Sequence, residues 1–124
     1  MREEKDIVST LREVAPGIFV GSQMDSYPGA GRIDVRHLPE HPDGPDAISI
    51  PDVERVLQEC ARRYAVGDIL ITCKYGINRA AAIAVLFCFS NGETPNLKGS
   101  YINRAWWAFI KKNADYLYDS WYTE

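Results

Sequence analysis

Cys73, Gly76 and Arg79 stand three residues apart in the stretch T-C-K-Y-G-I-N-R-A-A, and together they could hold an oxyanion and attack it. Cysteine supplies a sulfur nucleophile once its proton is gone, and a helix N-terminus and a nearby guanidinium both favour the thiolate. Arginine supplies a planar fork of donors that can take two oxygens of a phosphate-like group at once and stabilise them in the transition state. Gly76 allows the backbone to curl close to the anion, where a side chain would obstruct it. The amides of Lys74, Tyr75, Gly76, Ile77, Asn78 and Arg79 would complete the cradle, with Lys74 adding positive charge at the rim.

Chemistry of this kind needs a strand to deliver the sulfur and a helix to supply unpaired N–H groups. Both are readable. The apolar run Ile69 to Ile71 predicts a buried strand ending at Cys73, and the Ala-rich segment Ala80 to Phe89 predicts a helix apolar nearly all round. Asn91-Gly92 is a C-terminal cap, and Pro95 confirms the stop. Upstream, Ser49 is an N-cap, Pro51 sits in the first turn and Asp52 complements the dipole of a helix whose apolar face is Val53, Val56, Leu57, Cys60, Ala61 and Tyr64. Val66-Gly67-Asp68 ends that helix and turns the chain into the strand.

Nearer the N-terminus, Asp6 to Ala15 mixes polar and apolar residues, and Pro16-Gly17 then punctuates before Ile18 to Gly21, an edge-type hairpin or pair of short strands. Ser22 to Arg32 reads as loop, Ile33 to Leu38 alternates as a half-buried strand stopped by Pro39, and Glu40 to Ile48 reads as an acidic surface loop. From Asn96 to Tyr122, Tyr101, Ile102, Ala105, Trp106, Phe109, Ile110, Leu117 and Trp121 recur at mostly helical offsets, giving one or two packing helices. These aromatics are expected to be core rather than a partner surface.

A chain of 124 residues that is 46% hydrophobic makes one domain, spanning 1–124, with a single core. The net charge of -3 leaves no basic footprint for stable nucleic-acid binding. The N-terminus M-R-E-E-K-D is charged, and no apolar run reaches the roughly 18 residues a bilayer span needs, so a cytoplasmic protein without membrane association is expected. Cys60, Cys73 and Cys88 form no C-x-x-C pair, and His37 and His41 have no ligand spacing with them. Neither a metal site nor a disulfide framework is supported; no cofactor is called for, and Cys60 and Cys88 are expected in the core. A single loop glycine also excludes a dinucleotide fingerprint, which needs a glycine triad.

The loop resembles the Cys-x5-Arg signature of cysteine-dependent protein tyrosine and dual-specificity phosphatases, written His-Cys-x-x-Gly-x-x-Arg-Ser/Thr, with Cys73, Gly76 and Arg79 matching directly. Pro16-Gly17-Ile18-Phe19-Val20-Gly21-Ser22 is similar to a Pro-Gly-Leu-Tyr-Leu-Gly segment near the start of dual-specificity domains. The resemblance implies a three-layer α/β fold, with a small, mostly parallel central sheet of four or five strands flanked by helices. It also implies hydrolysis of phosphate monoesters through a phosphocysteine, with phosphorylated proteins as substrates and a monomeric enzyme. An aspartate on a mobile loop would protonate the leaving group; Asp43, 30 positions before Cys73, fits, and Asp46 competes with it.

Two departures bear on rate. Thr72 stands where the family usually has His, and Ala80 replaces the Ser/Thr whose hydroxyl helps the thiolate leave phosphocysteine. A fast first step and a slow second one are expected, and a phosphate-binding pseudophosphatase is the competing class. The stretch between Gly21 and Ile33 is short for such domains, so a pocket wall is trimmed and phosphoserine and phosphothreonine would fit beside phosphotyrosine. G-I-N-R is also similar to the loop of RNA 5′-phosphatases, and Lys74 to that of phosphoinositide phosphatases.

Overall fold

The computed structural model describes residues 10–122, with side chains through residue 118. The chain runs β1 (Arg12–Ala15), β2 (Ile18–Ser22), β3 (Gly31–Asp34), a 3-10 turn (Pro45–Ala47), α1 (Ile50–Tyr64), β4 (Ile69–Cys73), α2 (Arg79–Ser90) and α3 (Arg104–Tyr122). Residues 1–9 of the N-terminal stretch and the side chain of Trp121 lie outside the described set.

The sheet order is β1-β2-β4-β3. β1 and β2 are antiparallel, whereas β4 runs parallel to both β2 and β3. The sheet is therefore mixed, which corrects the expectation of a mostly parallel one. Its cause is local: Pro16-Gly17, with Gly17 at φ 75°, reverses the chain in two residues, and so short a link can join only antiparallel neighbours. β2 is also interior rather than an edge, lying between β1 and β4.

β4 reads Ile-Leu-Ile-Thr-Cys and is buried along its whole length, as a central strand covered on both faces must be. The register pairs Ile69 and Ile71 with Ile18 and Val20 on one side and with Gly31 and Ile33 on the other. These isoleucines and Val20 share a core with Val53, Leu57 and Cys60 of α1, Ile83 and Phe87 of α2, and Trp106, Phe109 and Leu117 of α3. Each of the three helices touches the other two. Leu70 points the other way, paired with Phe19, whose ring stacks on Tyr27 with centroids 4.1 Å apart. Among the described residues that second face is covered by the loop between β2 and β3, where a flanking helical layer was expected.

Local signals set the helix limits. Ser49 Oγ accepts from the Asp52 N–H at 3.2 Å, and Val53, Val56, Leu57 and Cys60 are the buried face of α1. At the far end of α2, the Glu93 N–H reaches Cys88 O at 2.9 Å and the Gly92 N–H reaches Phe89 O at 3.2 Å, a Schellman closure with Gly92 at φ 72°. The C-terminal periodicity resolves into one helix of 19 residues. The strand expected over Ile33 to Leu38 instead begins at Gly31 and ends at Asp34. Asp34 takes both the Arg36 N–H (3.0 Å) and its guanidinium, and the Leu38 N–H turns back to Val35 O at 3.1 Å. Val35 is buried as the alternation requires, but its N–H makes the last contact with β4, at Thr72 O, 2.8 Å. Among the described residues no helix is long and apolar enough to cross a membrane.

Candidate active site

β4 carries Cys73 to the edge of the sheet, and the chain then loops through residues 74–78 before α2 begins at Arg79, one residue earlier than its apolar run predicts. The Cys73 sulfur accepts from the Gly76 N–H at 3.3 Å and from the Ala80 N–H at 3.4 Å. The Ala80 amide belongs to the first turn of α2, where N–H groups lack intrahelical partners. Asn78, in the cap position, leaves such donors free because its side chain does not cap the helix. Gly76 is buried at φ 76°, and a Cβ there would lie 2.5 Å from Gly21 C and 2.6 Å from Ser22 N. Only glycine lets this loop pass so close to the end of β2.

Arg79 is 6% exposed. Its Nη1 donates to Arg36 O (2.8 Å) and Leu38 O (3.0 Å), and Nη2 lies 3.5 Å from Glu40 Oε1. Its Nε is buried with no hydrogen-bond partner among the described residues. Among the described residues its one carboxylate contact is long and partly exposed, which leaves the buried charge incompletely compensated.

Asn78 joins this loop to two others. Its Nδ2 donates to Glu40 O (2.9 Å) and its Oδ1 accepts from the Asn103 N–H (2.9 Å). Asn103 Nδ2 donates to the same Glu40 carbonyl at 2.8 Å, while Asn103 Oδ1 caps α3 at the Trp106 N–H, 3.0 Å. Trp106, fully buried, donates from Nε1 to Pro39 O at 2.9 Å. The Tyr101 N–H donates to Ile77 O at 2.7 Å. Glu40, Asn103 and Trp106 thus position the site, and sequence reasoning missed that role. Asn103 did carry a signal, an Asn just ahead of an apolar-periodic helix. The pairing of Glu40 with Arg79 carried none.

Of the two aspartates, Asp46 is drawn away: its Oδ1 lies 2.8 Å from Lys112 Nζ, with the side chain 88% exposed. Asp43 lines a cavity of about 420 Å³ together with His41, Pro45, Asn103, Arg104 and Ala108. Neither Cys73 nor Arg79 lines that cavity; Asn103 links it to the loop. Lys74 and Tyr75 are exposed at the rim, with Lys74 Nζ 5.2 Å from the Tyr75 ring centroid. Ile77 is half-buried.

Cys60 and Cys88 are fully buried in the core, as expected. Burial raises both thiols, Cys88 to about 12, with the nearby Glu93 charge adding to it. His37 and His41 are exposed. Among the described residues no group of three or more His, Cys, Asp or Glu side chains could hold a metal ion. Compared with known proteins, the chain matches no family model, no curated protein and no solved structure.

Proposed function

We propose that this chain is a cysteine-dependent phosphatase, a compact relative of the three-layer phosphatase domains, that removes phosphate from proteins through a phosphocysteine intermediate. The observation that carries the reading is a sulfur receiving two backbone N–H groups, one from the first turn of α2, together with an arginine opening that helix whose buried Nε has no hydrogen-bond partner among the described residues. A thiolate and a guanidinium are what in-line attack on a phosphate dianion requires.

In the first step the Cys73 thiolate bonds to phosphorus as the ester oxygen leaves and takes the proton of Asp43. Asp43 is preferred to Asp46 because Asp46 is paired with Lys112. In the second, water attacks phosphorus, Asp43 accepts its proton, and the P–S electron pair returns to sulfur. Ala80 offers no hydroxyl to that returning sulfur, so phosphocysteine should accumulate. The short stretch between β2 and β3 supports the reading that a pocket wall is trimmed, so that phosphoserine and phosphothreonine are accepted as well as phosphotyrosine.

Aryl-phosphate hydrolysis by wild type, Cys73→Ser, Arg79→Lys, Asp43→Asn and Asp46→Asn tests this. Turnover abolished by Cys73→Ser, cut at least a hundredfold by Arg79→Lys and Asp43→Asn, and little changed by Asp46→Asn is the expected pattern. Phosphopeptide binding without turnover in the wild type would instead identify a phosphate-binding module.

A further inference from the structure

Arg12 opens β1 opposite Val20. Because β1 runs antiparallel to β2, its first residue lies toward the end of the sheet where Ser22 and Cys73 are paired. The guanidinium is held at two corners, Nη1 donating to Thr10 O at 2.7 Å and Nη2 to Ser100 Oγ at 2.6 Å. Among the described residues its buried Nε, like that of Arg79, has no hydrogen-bond partner. Burial lowers the pKa of Arg12, and the charges of Cys73 and then Asp25 oppose that shift. Ser100 precedes Tyr101, whose N–H holds Ile77 O in the loop after Cys73. A partly buried cation with an orphaned donor weakens the fold, and anchoring a sheet edge does not require one.

We propose that Arg12 is a positioning residue for the chemistry at Cys73, a second guanidinium that stabilises negative charge on the sulfur and offsets in part the lack of a hydroxyl at Ala80. Arg12 exchanges no proton or electron. As the P–S bond breaks in the second step, the electron pair stays on sulfur and water's proton goes to Asp43; the Arg12 charge stabilises that sulfur as it leaves. The kinetic part rests on the phosphatase reading above, whereas the electrostatic part does not.

The test has two arms, applied to Arg12→Gln and Arg12→Lys, each with and without Ala80→Ser. In rapid-mixing turnover of an aryl phosphate, Arg12→Gln is expected to lower kcat about tenfold, the size of one charge in partly screened surroundings, with KM falling in step so that kcat/KM changes little, and with more phosphoenzyme trapped. Arg12→Lys stays within a few-fold, and Ala80→Ser raises kcat more in Arg12→Gln than in the wild type, a non-additivity that a structural role would not produce. In the second arm, Cys73 is alkylated by iodoacetate and by iodoacetamide at one pH, and the ratio of rates reports positive charge beside the sulfur. Arg12→Gln should lower that ratio about tenfold. A ratio unchanged within twofold overturns the proposal, as does a kcat loss that Ala80→Ser does not selectively restore. Wild-type protein without turnover would refute the phosphatase reading and leave the alkylation ratio to decide on Arg12. If Arg12→Gln does not fold, Arg12→Lys and Ser100→Ala, which frees one corner of the guanidinium, are read by the same ratio.

Discussion

Gly76→Ala should be among the most damaging single-methyl additions in this protein. At φ 76° an L-residue costs about 1–2 kcal/mol on conformational grounds alone. The new Cβ would also fall 2.5 Å from Gly21 C, 2.6 Å from Ser22 N and 2.8 Å from Gly21 O, all backbone of an interior strand that cannot rotate away. Overpacking of this kind adds about 1–3 kcal/mol, for a total near 3–4 kcal/mol against the 5–15 kcal/mol that ordinarily holds a domain together. Gly92→Ala is the control: its φ is 72°, but nothing lies within 4 Å of the position its Cβ would take, so only the conformational part is lost. In urea, with a slope of about 2 kcal/mol per M, the Gly76→Ala midpoint falls by about 1.5–2 M and the Gly92→Ala midpoint by under about 1 M. Phosphate competition or aryl-phosphate turnover should be lost in the first variant and kept in the second. Equal losses of stability would mean that the loop does not pass against β2 as described, and the geometry assigned to the Cys73 sulfur would fall with it.

Thr72→Val should leave stability unchanged or raise it by up to about 1 kcal/mol in the same titration, because Thr72 Oγ1 is buried with no partner among the described residues and valine keeps the shape. Asn103→Ala removes the α3 cap and one hydrogen bond to the Glu40 carbonyl; a loss of about 2 kcal/mol is expected, together with a higher KM for aryl phosphate, and a KM that does not move would separate α3 from the site. Native-state labelling should leave Cys60 and Cys88 untouched until unfolding, since burial holds both thiols protonated. The Arg36 hydrogen bond, ahead of its charge, holds Asp34 below the usual carboxylate range. Its stabilising effect is present above the unfolded value of about 3.9 and is lost as the pH falls through the lower folded value. Asp34→Asn should therefore flatten the acid limb of stability below about pH 4 by a small amount, because the pair is partly exposed and screened.

What the sequence alone determined is what depends on near neighbours along the chain. The unbroken run Ile69 to Ile71, the glycine at 76 and the alanines after Arg79 specify a buried strand, a tight loop and a buried helix, because pleat, positive φ and helical packing are properties of a few consecutive residues. Ser49 and Gly92 marked helix ends for the same reason. Strand order was not legible: the pairings of β4 with β2 and β3 are made by shared burial of Ile18, Val20, Ile33, Ile69 and Ile71 across stretches with no pattern of their own. The loop over the second face was equally hidden, and so was the early end of β3, which an aspartate and arginine two residues apart brought about. Within the site, residue types announced Cys73 and Arg79, but only the tertiary structure decided what surrounds them. Arg79 is oriented by the carbonyls of Arg36 and Leu38, Glu40 is fixed by two asparagines, and Arg12 is held by Ser100, 88 residues away. Such contacts join residues whose spacing in the chain is arbitrary, so packing, which places them together, is the first level at which they exist.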